Sequence, residues 1–195
     1  MKILSVSDSV APELVGDNCP VDLETVDLIL GCGDLPPEYL ARLKARYDVP
    51  LLYILGNHDI RHQLAPPGCT NISGKIIELE GFHFWGFSGS RWYNGNLNQY
   101  REREMQAQIR RLWFSLWRLK QLDVLVTHAP PRYIHDAEDR WHKGFNCYRD
   151  FIKRHKPRFF IHGHMHTFFK NPEDRVSVVD QTKVINSYGY HILQI

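Results

Sequence analysis

The sequence predicts an α/β fold in which two sheets are flanked by helices. Short apolar runs typical of buried strands recur along the chain, and helical patterns separate several of them. Most of these runs end in residues able to bind metal or catalyse a reaction, which is where open α/β sheets place their sites. With 195 residues the chain can bury a substantial core, and we expect residues 1–195 to form a single domain.

The first half of the chain predicts three strands and a helix. The strands lie near residues 3–6, 28–30 and 51–55, and the polar segments that follow them contain Asp8, Asp34 and Asn57-His58. Residues 38–47 follow Pro36 and Pro37 and form an amphipathic helical pattern. Leu40, Leu43 and Tyr47 give this helix one apolar face.

The second half predicts a more antiparallel sheet. Residues 76–79 and 82–87 flank a short turn and indicate a hairpin. A buried strand at 124–126 precedes His128, and another begins at Phe159 after a helix at 147–155. The closing strands are expected at 176–179, 183–186 and 191–195, and loops at 61–74, 88–99 and 132–146.

Residues 100–121 form the longest helical pattern. Its apolar stripe comprises Met105, Ile109, Leu112, Leu116 and Leu119, with Trp113 and Trp117 at its edge, and arginines occupy the remainder. A stripe of this kind usually covers a sheet, and that is the prediction. The alternative is a basic amphipathic helix that lies on a membrane or docks a lipid-like substrate.

Three histidines follow the strand that begins at Phe159. Because side chains alternate along an extended chain, His162, His164 and His166 are expected to share one side. Protonated imidazoles at this spacing would repel one another, whereas neutral ones are good metal ligands. The cluster therefore predicts a metal site.

Composition excludes several classes of function. A formal net charge of +2 gives no strong attraction to nucleic acid, so duplex DNA is not an expected partner. The four cysteines show no disulfide-type spacing, and no apolar run is long enough to span a bilayer. We expect a cytoplasmic protein of unknown oligomeric state.

The residues at the strand ends form a mixed oxygen and nitrogen set suited to Mn, Fe or Zn. Its members are Asp8, Asp34, Asn57, His58, His128, His164 and His166. It is too rich in nitrogen for calcium and too poor in thiol for structural zinc. Two ions bridged by one carboxylate can clamp both oxygens of a displacement at phosphorus.

These motifs, in this order, resemble those of the calcineurin-like metallophosphoesterases. The most specific pair is Gly-Asn-His-Asp at 56–59 with Gly-His-Met-His at 163–166. The resemblance implies a four-layer α/β/β/α sandwich and two divalent ions, for which we favour manganese. It also implies roles: Asp34 bridges, Asn57, His128 and His164 bind one metal, Asp8 and His166 bind the other, and His58 assists the leaving group.

One position departs from the family pattern. The first motif of the family is Asp-x-His, but here Val10 stands where the histidine is expected. The metal at Asp8, Asp34 and His166 then lacks a ligand, which predicts weaker binding or a different metal preference. Cys32 is a conceivable substitute, although packing as a small apolar group is the favoured interpretation.

Other residues are candidates for substrate binding. Arg61 could clamp a phosphate oxygen or form a surface ion pair, and His142 either reaches the site or lies outside it. Trp92 or Tyr93 could stack on a base or sugar, although packing beneath their loop is the more common role. We expect His62, His83, His135, His155 and His191 to be structural or exposed.

The leading functional hypothesis is a metal-dependent phosphoesterase that hydrolyses a phosphomonoester or phosphodiester of a small substrate. One alternative, motivated by Val10, is a degenerate member that acts as a non-catalytic protein-binding scaffold. The other is a nucleotide-directed phosphodiesterase or nuclease, motivated by Trp92, Tyr93 and the arginine-rich helix.

Overall fold

The structure is a computed structural model that describes residues 1–17, 19, 25–59, 65–119 and 121–195. Its strands are β1 (Lys2–Ser7), β2 (Leu28–Cys32), β3 (Leu51–Ile54), β4 (Thr70–Asn71), β5 (Ile76–Leu79), β6 (Phe82–Phe87), β7 (Ser90–Arg91), β8 (Gln99–Tyr100), β9 (Val124–Thr127), β10 (Phe159–His162), β11 (Val176–Val179), β12 (Thr182–Asn186) and β13 (Gly189–Gln194). The helices are α1 (Pro37–Tyr47), α2 (Glu102–Arg111), α3 (Trp113–Arg118) and α4 (Asn146–His155).

Two large mixed sheets form the centre of the fold. The first has the strand order β13-β1-β2-β3-β4, in which β13 is antiparallel to β1 and the other neighbours are parallel. The second has the order β11-β12-β10-β9-β6-β5 and is antiparallel only at its two edges. Its inner strands β12, β10, β9 and β6 are parallel. The predicted hairpin and both sheets are therefore confirmed.

Apolar side chains fill three layers around these sheets. Leu28, Leu30, Phe84, Val126 and Ile161 belong to the core between the two sheets. A second cluster packs α1 on the outer face of the first sheet, and a third packs α2 and α4 on the outer face of the second. Burial of each large apolar side chain contributes about 1.5–3 kcal/mol. The predicted α/β/β/α sandwich is the observed architecture.

This topology brings the predicted site residues to one edge of the molecule. The carboxyl ends of parallel strands lie at the same edge of a sheet, as in other α/β folds. Asp8, Asp34 and Asn57 follow β1, β2 and β3 of the first sheet, while His128 and His164 follow β9 and β10 of the second. Both sheets thus contribute to one site.

The predicted helix over residues 100–121 is wrong as a single element. It is divided into α2 and α3 at Leu112, whose φ of −98° and ψ of 3° depart from helical values. The Leu112 N–H donates to the Ile109 carbonyl three residues back, which tightens the turn. Neither Pro nor Gly occurs at this position, so no local signal marks the break.

Two predicted loops also contain short strands. β4 lies within 61–74, and β7 lies within 88–99 and pairs in parallel with β8, which begins at the last residue of that range. Of the first loop, residues 61–64, which include Arg61 and His62, lie outside the described residues. Across the part of the chain that the structure describes, every helix is too short or too polar to cross a bilayer.

Candidate metal site

Three of the strand-end residues adopt an uncommon backbone conformation. Asp8, Asp34 and His164 have φ angles of 63°, 55° and 66°, in the left-handed region that non-glycine residues rarely occupy. Each lies in the turn that follows its strand. Such conformations persist where surrounding contacts fix them, and they concentrate at functional sites. Here they mark the turns that carry a carboxylate or an imidazole.

The centre of the site is a group of electron-pair donors that face one another. His128 Nε2 lies 3.0 Å from Asn57 Oδ1 and 3.2 Å from Asp34 Oδ2. His128 Nδ1 donates to the Cys32 carbonyl at 2.9 Å, and this hydrogen bond leaves Nε2 with its lone pair directed at the two oxygens. His128 Nε2, Asn57 Oδ1 and Asp34 Oδ2 are all acceptors, and at these distances they repel one another unless a positive charge lies between them.

The pKa values of His128 and Asp34 reflect the attraction between these two side chains. Burial disfavours the charged form of His128, but the Asp34 carboxylate raises its pKa to about 10. Burial likewise opposes the charge of Asp34, but His128 and the His58 N–H hold the pKa of that carboxyl well below its usual range. The group therefore favours a bound cation, whether proton or metal.

His164 completes this group as a neutral nitrogen donor. Burial and the neighbouring His128 lower the pKa of His164 to about 3. Its Nε2 donates to the Trp141 carbonyl at 2.8 Å, so Nδ1 is the available ligand atom. Asp34, His128 and His164 each offer one ligand atom within 4.8 Å of the others, a set that fits a divalent transition metal.

Glycines allow the backbone to approach this group closely. A Cβ on Gly56 would collide with Asp34 Oδ1, and one on Gly163 would collide with Ser7 Oγ and come within 2.6 Å of Asp8 Oδ2. The motif glycines at 56 and 163 are therefore needed to keep both carboxylates in place.

The second part of the site is more open. Asp8 Oδ2 accepts from Ser7 Oγ at 2.5 Å and from the His164 N–H at 2.8 Å. Its Oδ1 accepts from His166 Nε2 at 3.3 Å, which raises the pKa of His166. The side chain of His166 is 54% exposed. Val10, at the position expected to hold a histidine, is also exposed.

The prediction that His162 shares a side with His164 and His166 is wrong. β10 ends at His162, and the left-handed turn at His164 breaks the alternation of an extended chain. His162 Nδ1 donates to the Gly163 carbonyl, and its Nε2 lies 3.0 Å from His135 Nδ1. Both ring nitrogens of His162 are thus committed to contacts away from the ligand group.

Three further candidate residues, His58, His142 and Cys32, differ in their position relative to this ligand group. The His58 residue is exposed while its N–H donates to Asp34 Oδ1 at 2.7 Å. His142 lies beside the site, with its ring centroid 5.4 Å from that of His164 and 6.2 Å from that of His166. Cys32 is fully buried in the core between the sheets, where burial raises the pKa of its thiol to about 12. It packs there, as the favoured interpretation predicted.

Several supporting residues were missed from the sequence. Asn57 Nδ2 donates to the Tyr93 hydroxyl at 3.0 Å, which orients Oδ1 of the amide toward the site. Asp59 accepts from the N–H groups of Asp34 and Gly56 and so fixes both turns. Arg140 donates to the Tyr93 carbonyl at 2.6 Å and joins the two loops. Apart from the local contact between Gly56 and Asp59, these contacts join distant segments, and local patterns give no signal of them.

A cleft of about 580 Å³ opens beside the Asp8 part of the site. Its lining includes Val10, Phe168, Phe169, Arg175, Tyr188 and Tyr190. Tyr188 stacks on His166 at a centroid distance of 5.2 Å and meets Phe168 edge to face. The cleft therefore has aromatic walls, one of which contacts the predicted metal ligand His166.

The two-sheet fold carries a group of carboxylate and histidine side chains at the ends of its strands. Residues 7–168 match the family model described as calcineurin-like phosphoesterase, and the chain belongs to this family. No curated protein sequence matches it.

Several solved structures share this fold. TT1561 of Thermus thermophilus matches with a TM-score of 0.67 and 14% identity, over 96% of this chain and 89% of that chain. GAP50, described as the anchor in the inner membrane complex of Plasmodium, matches with a TM-score of 0.57 and 13% identity, over 95% of this chain and 70% of that chain. A candidate 5′-nucleotidase of Staphylococcus aureus, in complex with alpha-ketoglutarate, matches with a TM-score of 0.54 and 13% identity. The match covers 99% of this chain and 50% of that chain. At these identities the likeness concerns the fold alone.

Proposed function

We propose that this chain is a metal-dependent phosphoesterase with a dinuclear site. The observation that carries the proposal is the meeting of three acceptors, in which Asp34 Oδ2 and Asn57 Oδ1 both lie within 3.2 Å of His128 Nε2. A bound cation satisfies such an arrangement, and the donor types, with His164 beside them, suit Mn, Fe or Zn. Manganese is the metal we favour.

Each predicted ligand has a role in this proposal. Asp34 would be shared by the two ions, and Asn57, His128 and His164 would hold one of them. Asp8 and His166 would hold the other, to which Val10 offers no ligand atom. When bound, the ions supply positive charge for the phosphoryl oxygens and lower the pKa of a water molecule so that it is a nucleophile at neutral pH.

His58 acts on the leaving group in this scheme. Its N–H anchors it to Asp34 while the residue remains exposed to solvent. From there the imidazole donates a proton to the departing oxygen or stabilises its developing charge. His142 is held by Asp139 at 2.9 Å, and its ring lies 5.4 Å from that of His164, so we assign it a further hydrogen bond to the phosphoryl group.

The cleft beside Asp8 suggests the kind of ester. Its aromatic walls suit a flat leaving group such as a nucleoside, because rings stack on Tyr188 and Phe168 without a specific hydrogen-bond pattern. One of the similar folds carries the description of a 5′-nucleotidase. We therefore infer a small phosphate ester, with a nucleotide as the first substrate to assay.

The test begins with protein purified without chelator, whose metal content is measured by elemental analysis. The same sample is assayed on nitrophenyl phosphate and bis-nitrophenyl phosphate with added manganese, and then on a mononucleotide, a cyclic nucleotide and an oligonucleotide. Bound metal with manganese-dependent hydrolysis supports the proposal. Absence of both metal and hydrolysis under these conditions refutes it.

A second candidate function is a non-catalytic scaffold. Val10 is the observation that favours it, because loss of a ligand is one route to loss of catalysis. GAP50 is described as an anchor, so the fold occurs in a protein with that description. Retention of His58 and of the buried ligand group weighs against it. Partner capture that is unaffected by metal removal, without hydrolysis of any ester, would favour the scaffold.

A further inference from the structure

The segment that follows α2 presents aromatic side chains to solvent. Trp113, Phe114 and Trp117 are 58%, 69% and 74% exposed, and the rings of Phe114 and Trp117 lie 6.1 Å apart. We call these three residues the aromatic patch. Exposed aromatic residues grouped within five positions of one another mark an interaction surface, since single exposed apolar residues are ordinary but contiguous ones are not.

The patch is distinct from the apolar stripe that attaches α2 to the fold. Met105 is fully buried, and Ile109, Leu112 and Leu116 pack partly against the core beneath the second sheet. Leu116 belongs to α3 and makes this contact, but no residue of α3 is fully buried. The predicted role of the whole segment as a cover for the sheet therefore holds for α2 but is wrong for the tryptophans of α3.

The surroundings of the patch are strongly basic. Residues 106–122 contain no Asp or Glu, and their charged residues are Arg110, Arg111, Arg118 and Lys120. On α4, Arg154 and His155 line a groove of about 260 Å³ together with Trp113 and Trp117. Asp150 is the acidic residue of the adjoining groove. The aromatic patch is thus bordered by arginines from two helices.

We infer that the aromatic patch docks this protein on an anionic lipid surface. Tryptophan and phenylalanine on one face of a short helix, with arginines beside them, match the boundary between lipid headgroups and acyl chains. Each arginine near an anionic leaflet adds attraction of its own. A second copy of this chain is a poorer occupant, because a symmetric contact would bring like-charged arginines together.

This docking is independent of the proposed phosphoesterase reaction, since it uses none of the predicted ligands. It is tested by sedimentation with vesicles of phosphatidylcholine alone and of phosphatidylcholine with phosphatidylglycerol at roughly three to one. We expect partitioning onto the anionic vesicles to exceed that onto the neutral ones by roughly tenfold or more at low salt. We also expect it to weaken as salt is added.

Two sets of substitutions separate the aromatic and charged contributions. The combined change Trp113→Ser, Phe114→Ser and Trp117→Ser should lower partitioning by roughly tenfold or more while leaving the circular dichroism melt in place, because these rings are exposed. Arg111→Gln with Arg118→Gln should lower binding to the anionic vesicles and remove most of the salt dependence.

Trp92→Ala is the matched control. Trp92 is 46% exposed and has the Arg101 guanidinium 5.3 Å from its ring centroid, but Arg101 lies at the other end of α2. Its loss should leave vesicle binding unchanged. The inference is overturned if the wild-type chain does not bind anionic vesicles, or if the triple variant binds them as well as wild type does. It is also overturned if light scattering without lipid shows that the patch drives self-association instead.

Discussion

The two parts of the candidate site differ in how far the protein buries the ligand atoms and fixes their orientation. Around Asp34 the ligand atoms are buried, and hydrogen bonds with Cys32, Tyr93 and Trp141 fix the orientation of each ring and amide. Around Asp8, the partner His166 is exposed and Val10 provides no ligand atom.

A metal site built in this way can lose a ligand without losing its chemistry. The buried part holds its geometry through contacts from several loops, so the absence of a donor at position 10 does not disturb it. The open part depends on Asp8, Asp34 and His166 with solvent. We therefore expect two sites of unequal affinity.

The largest expected effect comes from the residue that belongs to both parts. Asp34→Ala should remove both metals and lower hydrolysis by roughly 1000-fold or more, because the bridging carboxylate and the charge that holds His128 are lost together. Asp8→Ala is the comparison variant, and elemental analysis should find that it keeps the metal at His128. Equal metal loss in the two variants would contradict the division.

His58→Ala should lower turnover by roughly 100- to 10,000-fold, the usual contribution of a general acid. Metal content measured by elemental analysis should stay at the wild-type level, because the Asp34 contact of His58 comes from its backbone. Unchanged turnover on the nitrophenyl esters would remove His58 from the mechanism.

Tyr93→Phe tests the support of the buried part. Without the hydroxyl, the Asn57 amide is free to rotate, and metal affinity should fall by roughly 10- to 100-fold. The ring itself is retained, so the melting temperature should change little. Calorimetric titration with manganese measures the effect, and an affinity equal to that of wild type would show that Tyr93 only packs.

Val10→His should make the two parts more alike. A donor restored at this position should tighten binding of the weaker ion by roughly tenfold. Val10→Leu, which offers no ligand atom, should bind as wild type does. If the histidine variant shows no gain, the open part is not limited by the missing ligand.

The smallest effect concerns stability and pH. Burial, with Arg175 nearby, lowers the pKa of His191 from 6.5 to about 4. Between these two pH values His191 is protonated in the unfolded chain but neutral in the folded protein. This difference lowers the stability of the protein as pH falls through that range. Because the ring keeps some contact with solvent, we expect about 1–2 kcal/mol.

Urea unfolding of wild type and His191→Gln at a series of pH values measures this contribution. The variant should lose less stability than wild type as pH falls from about 6.5 to about 4, and above that range the difference between the two chains should be constant. Parallel curves over the whole series would show that His191 does not titrate differently in the two states.

The fold could be predicted largely from the sequence because its strands are short apolar runs with polar ends. The same logic located Asp34, Asn57, His128 and His164, each of which directly follows a strand or its turn. It failed at His162, because period-2 alternation was extended past the end of β10. It also failed at Leu112, where the helical pattern continues through a break in the helix.

The supporting contacts could not be predicted for a different reason. Tyr93 reaches Asn57 across 36 positions, and the Trp141 carbonyl reaches His164 across 23. These pairs are set by how the loops fold over the strand ends, and neither loop has a periodic pattern. Such contacts become visible only when the two sheets are placed together.

The most direct test of unequal sites is a manganese titration of metal-free protein, followed by calorimetry and by electron paramagnetic resonance. We expect one tight equivalent, then a second that binds more weakly and whose spectrum shows coupling to the first. Two equivalents of equal affinity, or no binding at all, would contradict the inequality of the two parts.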